Sequence, residues 1–237
     1  MESDSDIEVE MERDRDAFRF FAQELRRHIR QHDSDEEGSE SSEEDNEDET
    51  LNDLLQRIKV NDPFTTEFNL EGDYEEIEEM SEEEWEELGI DISNNSYLGT
   101  LRFTHGAVDN DRMSFLFRGL TRSNTIIVME LFRNGFSVEG IRSMVPFLQN
   151  SNNLRILCLN GNNIQSEGFN LLFRTLSDSP IESLHCVNCD IESIEIDGND
   201  IPKHLKAIIL DDNNINADGC RGLAKLLQGG DSTLTTL

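Results

Sequence analysis

The chain has 237 residues, of which 51 are acidic and 20 are Lys or Arg, giving a formal charge of −31. A protein so acidic repels nucleic acid and anionic membranes, and attracts basic proteins and cations. No stretch approaches the roughly 18 apolar residues of a membrane span, and Met1-Glu-Ser-Asp-Ser-Asp has neither the positive start nor the apolar run of a secretory signal.

The charge is uneven. Residues 1–100 hold 35 acids and 8 bases, whereas 101–237 hold 16 and 12, so an acidic arm is expected on a near-neutral domain. The four cysteines, in a chain without an export signal, are expected as reduced thiols of an intracellular protein, cytoplasmic or nuclear.

Residues 1–50 read as a disordered acidic arm with one contrasting segment, 17–31. There Phe18, Phe21, Ala22, Leu25 and Ile29 fall on one face of a helix, with Arg19, Arg26, Arg27 and Arg30 on its other sides. Two readings stand: a marginal helix whose arginines pair with nearby acids, or a short linear motif that docks in a partner's groove. Residues 33–49 have no apolar side chain and cannot offset chain entropy by burial. Ser3, Ser5, Ser34, Ser41 and Ser42 each have an acid three residues on, which resembles an acidophilic casein-kinase site. Phosphorylation there would add roughly −1.5 to −2 charges apiece.

Residues 51–64 are expected to cap the domain. Leu51, Leu54, Leu55 and Ile58 have helical spacing before Asp62-Pro63 stops the helix, and a repeat stack needs such a cover at its open end.

From residue 65 a frame recurs. Its centre is Leu154, Leu157, Leu159, Asn162, Ile164, the pattern L-x-x-L-x-L-x-x-N-x-L. Further copies start at Thr65, Leu98, Ile126, Ile181, Leu205 and Leu234. The Thr65 copy is the weakest, matching at Phe68, Leu70 and Asp73 only, and the Leu234 copy ends inside the motif. Helical stripes follow at a constant offset: Met113, Leu116, Phe117, Leu120; Ile141, Met144, Val145, Leu148; Phe169, Leu172, Phe173, Leu176; Cys220, Leu223, Ala224, Leu227. Pro146 is expected to shorten or kink the second. Ser81-Glu-Glu-Glu84 reads as a capping box opening a helix that buries Trp85, Leu88 and Ile92.

These residues resemble the ribonuclease-inhibitor type of leucine-rich repeat protein over residues 65–237. The resemblance implies an α/β solenoid, a horseshoe with concave parallel strands and convex helices, that binds proteins through its concave face. Two departures stand out. The Ile181 repeat replaces its helical stripe with IESIEIDGNDIPK, so a helix-free convex side is expected there. At Leu237 a strand edge is left uncapped, which implies a truncated chain or a covering partner.

Candidate chemistry is sparse. Cys186 and Cys189 form a C-x-x-C, but the frame already places both inward, so they read as core rather than zinc or redox residues. Cys220 is expected on the apolar face of its helix, and Cys158 outward on a strand. His28 and His32 are a helical pair suited only to adventitious metal. No phosphate loop or catalytic constellation emerges, so the chain reads as a non-enzyme with no cofactor and no metal. Asn134, Asn162 and Asn213 occupy the ladder position, where a buried amide satisfies backbone groups, and Asn162→Ala is expected to cost on the order of 1–3 kcal/mol.

Alternation along each strand sends the remaining positions to the concave side. There Val128, Phe132, Ile156, Cys158, Val187 and Ile209 would form an exposed apolar patch, rimmed by Glu130, His185 and Asp211, with Asn160 as a further outward candidate for protein binding. An apolar patch with a polar rim is the anatomy of a protein interface. The competing reading is that a loop or the N-terminal helix covers it. Residues 71–87, with 11 acids and no base, are either a solvated convex face or a surface for basic partners. Three functions follow. The first is an interaction scaffold binding a protein on the concave face. The second is a chaperone or binder of basic proteins such as histones, by similarity to the acidic leucine-rich nuclear phosphoproteins, whose acidic tract follows their repeats. The third is a small-GTPase regulator like the Ran-type GTPase activators, which have more repeats and no motif that carries over.

Overall fold

A computed structural model describes residues 50–72, 75–196 and 201–228. The arm with its segment 17–31, the arm serines, the His28–His32 pair and the Leu234 repeat lie outside the described residues.

The first element is a helix, α1 (Leu51–Lys59). Thr50 and Asp53 cap its start reciprocally, each side chain bonding the other's backbone N–H. Leu51, Leu54 and Ile58 are buried against the first repeat, as a cap requires.

Six parallel strands follow: β1 (Glu67–Glu71), β2 (Thr100–Thr104), β3 (Val128–Phe132), β4 (Ile156–Cys158), β5 (Ser183–His185) and β6 (Ala207–Ile209). They lie side by side in chain order in one sheet. Between them run a 3-10 turn (Glu75–Glu79) and helices α2 (Glu82–Asn94), α3 (Asn110–Gly119), α4 (Val138–Asn150) and α5 (Gln165–Thr175), with α6 (Ala217–Gln228) after β6. Among the described residues, the main contacts between elements join each repeat to its neighbours in sequence. The weak Thr65 repeat thus supplies a full strand, β1, paired along its length with β2.

The core lies between the sheet and the helices. Phe68, Phe103, Leu131, Leu157, Leu184 and Ile208 enter it from the strands, and Trp85, Leu116, Phe147 and Phe173 from the helices. From β2 onward the polypeptide turns away from the strands through left-handed residues. Gly106, Gly135 and Gly161 accept this readily, whereas Arg133 and Asp212 hold the same conformation with a Cβ.

The ladder amides hold these corners. The Asn162 Nδ2 donates to the carbonyls of Leu131 (2.6 Å) and Leu159 (2.8 Å), and its Oδ1 accepts from the N–H groups of Asn134 (2.9 Å) and Gly135 (3.0 Å). Asn213 repeats this arrangement two repeats after, and Asn134, one repeat before, donates to the Phe103 carbonyl and accepts from the Val108 N–H. At the Ile181 repeat the ladder position falls to Cys189, whose thiol donates to the Leu159 carbonyl at 3.3 Å. Cys186 and Cys189 both belong to the core, and burial pushes the Cys186 thiol well up.

Two expectations need correction. Pro146 does not shorten α4, which continues four residues beyond it to Asn150. The ring is exposed, and the missing N–H costs one bond in a helix whose Ile141, Met144, Phe147 and Leu148 are buried. In α6 the buried face is Gly219, Gly222 and Leu226, with Leu223 half-buried; Cys220, Ala224 and Leu227 are exposed. The reason lies in the preceding repeat. Residues 191–196 form no helix, so α6 approaches an extended backbone. A Cβ on Gly222 would stand 2.1 Å from the Ile194 carbonyl oxygen, so only glycine fits that face. Gly89 and Gly119 make the same close approach between α2 and α3, with Cβ positions 2.1 Å from the carbonyl oxygens of Leu116 and Glu86.

Candidate protein-binding face

The sheet face opposite the core carries three columns of side chains, fixed by strand register. The first is Glu67, Thr100, Val128, Ile156, Ser183 and Ala207. The second is Asn69, Arg102, Glu130, Cys158, His185 and Ile209. The third begins Glu71, Thr104, Phe132 and continues through Asn160, Val187 and Asp211, where single backbone bonds prolong the ladder.

Register therefore brings the ten residues singled out from the sequence onto one face. Their exposure differs from expectation. Val128, Ile156, Cys158, Asn160 and His185 are buried; Glu130, Phe132, Val187 and Ile209 are half-buried; Asp211 is exposed. Side chains sharing a register on adjacent strands stand about 4.8 Å apart, so bulky neighbours in a column shield each other's flanks. Val128, Ile156 and Cys158 are buried yet stand outside the core cluster. Beside them, the Phe132 ring meets the His105 ring edge-on at 5.6 Å and lies under the Arg133 guanidinium at 5.1 Å.

The polar rim is also different. Glu130 accepts from Arg102 Nε at 2.9 Å, and the same guanidinium reaches Glu67 at 2.8 Å. Burial works against the Arg102 cation, but the carboxylates of Glu130 and Glu67 outweigh it and push its pKa up. His185 is no rim charge. Its Nε2 lies 2.7 Å from the Ser183 hydroxyl, and burial pulls its pKa down to about 4, so the ring is neutral at pH 7. Asn160 faces its own fold, its Oδ1 accepting from the Val187 N–H at 2.9 Å. The clamp on Arg102 was absent from the sequence reading. Its signal was there: Arg102 and Glu130 share a frame position, and Glu67 stands diagonal to Arg102.

On the convex side the acids of 71–87 are partly neutralised within the fold. Glu78 pairs with Arg112, Glu82 and Glu86 with Arg118, and Glu87 with Lys59. Among the described residues no cluster of three His, Cys, Asp or Glu is placed to hold a metal, and no helix is long and apolar enough to cross a membrane.

Parallel strands, alternating helices and an amide ladder decide the architecture. It is leucine-rich-repeat-like. No protein-family model matches the chain, and no curated protein matches it. A similar solved structure is described as leiomodin-1 actin-binding site 2. It superposes with a TM-score of 0.47 at 17% identity, over 58% of this chain and 80% of that one.

Proposed function

We propose that this chain is a non-catalytic interaction scaffold of the ribonuclease-inhibitor type, which docks a protein partner on its concave sheet face. The observation that carries the reading is the apolar strip on that face. Phe132, Val187 and Ile209 are its half-buried, partly accessible members, and Val128, Ile156 and Cys158, buried beside them, stand outside the core cluster. Desolvated apolar area ringed by fixed charge is what a protein interface uses for affinity and register. All four cysteines are thiols rather than disulfides, which fits a cytoplasmic or nuclear setting.

The test is capture from cell lysate at low and high salt, with the full chain and its Phe132→Asp variant as baits. Apolar docking persists as salt screens charge, so a true partner stays on the wild type at high salt and is lost from the variant. A partner released by salt and indifferent to Phe132 would instead mark an acidic binder of basic proteins.

A further inference from the structure

The third column runs along the carboxyl ends of the strands, and its members differ in height. Phe132 and Val187 are half-buried, whereas Asn160 between them is 9% exposed. Asn160 is low because its amide is drawn to the backbone, where Oδ1 accepts from the Val187 N–H at 2.9 Å. Phe132 and Val187 stand two strand spacings apart, about 10 Å, so the recessed Asn160 leaves a notch between them. With its oxygen engaged, the Asn160 Nδ2 has no acceptor among the described residues. A buried donor without an acceptor is costly, and an arriving carbonyl would satisfy it.

The two ends of the notch differ in charge. At the β3 end the Arg133 guanidinium lies over the Phe132 ring at 5.1 Å. Beyond Val187, at the β6 end, Asp211 and Asp212 are exposed, and neither forms an ion pair among the described residues. Lys203 and Lys206 are engaged elsewhere, with Asp178 and Glu182. Ile209, half-buried in the second column of β6, adds apolar surface beside the two carboxylates.

We propose that this notch takes an extended segment of a protein partner, in which an apolar side chain is followed two residues later by Lys or Arg. The inference rests on reading the concave face as a docking surface and names the chemistry of what docks. The apolar side chain enters between Phe132 and Val187, and a carbonyl of the segment accepts from Asn160 Nδ2. A helix does not meet these terms, because its carbonyls are bonded internally except in the last turn. Two residues of extended chain advance about 6.7 Å, which carries the next side chain on the same face past Val187. There its cation reaches Asp211 and Asp212 while its methylenes lie on Ile209. Arg133 sets the direction, since a base at the β3 end would meet like charge.

The experiment selects a displayed library of random peptides, about 12 residues long, on the full chain at about 0.3 M salt, which suppresses long-range attraction to its acids. Binding of the enriched peptides is then measured on wild type, Phe132→Asp, Asn160→Asp and Asp211→Lys/Asp212→Asn, with urea midpoints to confirm that each variant stays folded. Peptides with an apolar residue and a base two positions on should be enriched, and should bind each variant at least about tenfold more weakly. Asn160→Asp is decisive. It keeps the oxygen that accepts from Val187 and removes the donor, so a site that merely attracts positive charge would bind tighter. Selection on Asp211→Lys/Asp212→Asn should exchange the base for Asp or Glu. No enrichment on wild type overturns the proposal, as do enriched peptides without a base. So does binding within about twofold of wild type on any of the three variants. A Phe132-dependent lysate partner indifferent to Asp211→Lys/Asp212→Asn would remove this inference and leave the scaffold reading. The peptide motif without any Phe132-dependent lysate partner would do the reverse.

Discussion

Asn162→Ala offers a direct test of the ladder. The side chain is 1% exposed and makes four bonds of 3.0 Å or shorter, all to backbone: two donated to Leu131 and Leu159, two accepted from Asn134 and Gly135. The Gly135 N–H is only part-buried, so water can replace that bond. The other three are buried and have no such substitute. At about 1 kcal/mol net each, the loss is about 3 kcal/mol, the top of the range expected from sequence. With a urea slope of about 2 kcal/mol/M, the midpoint should fall by about 1.5 M. Fluorescence of Trp85, the single and fully buried tryptophan, reports the N-terminal repeats, and far-UV circular dichroism reports the whole. The adjacent exposed Asn163 is the control, and Asn163→Ala should stay within about 0.5 kcal/mol of wild type. A midpoint for Asn162→Ala indistinguishable from that of Asn163→Ala would refute the claim that the amide holds the corner.

Arg102→Leu removes the cation between Glu67 and Glu130 and should cost about 2 kcal/mol, between exposed and fully buried pairs; Arg102→Lys should recover less than half in urea titrations, because an ammonium lacks the planar fork. His185 should make stability pH-dependent. Its folded pKa of about 4 lies below the ordinary 6.5, so between these values the unfolded chain binds the extra proton, and stability is lost as pH falls through that window. From pH 7 to 5 the wild type should lose about 2 kcal/mol more than His185→Gln, and parallel acid limbs in the two proteins would contradict the assignment. Gly222→Ala should lower the melting temperature, although alanine is the better helix former by about 1 kcal/mol, because its methyl would collide with the Ile194 carbonyl. A raised melting temperature would mean that α6 stands further from residues 191–196 than described.

Much of the fold was legible because its signals are local and periodic. The frame residues from Leu98 to Ile208, the capping box at Ser81 and the ladder amides each depend on spacing alone. So did the face on which Val128, Ile156 and Cys158 stand, since strand alternation is strict. What spacing could not give was environment. The frame treats every outward position as open, and it cannot see that Ile156 is buried or that His185 is held neutral beside Ser183. Asn160 looked like an open outward position because its bond to Val187 crosses to the next repeat, 27 residues away. The α6 stripe failed for a related reason. Its buried face is set by two glycines, which carry no hydrophobic signal, answering a missing helix in the repeat before.

The glycine contacts also govern how the repeats fan. Hydrogen bonds fix strand separation at about 4.8 Å throughout, so any bend between neighbouring repeats is set by the distance between their outer elements. Gly89 against Gly119, and Gly219 with Gly222 against residues 192–194, are places where the backbones of neighbouring outer elements come into close contact. Each pair acts as a hinge pin, keeping the local wedge thin. Substituting a larger residue at one pin would splay the outer side and pinch the inner columns together. The geometry of the strip would then change without any of its own side chains being altered.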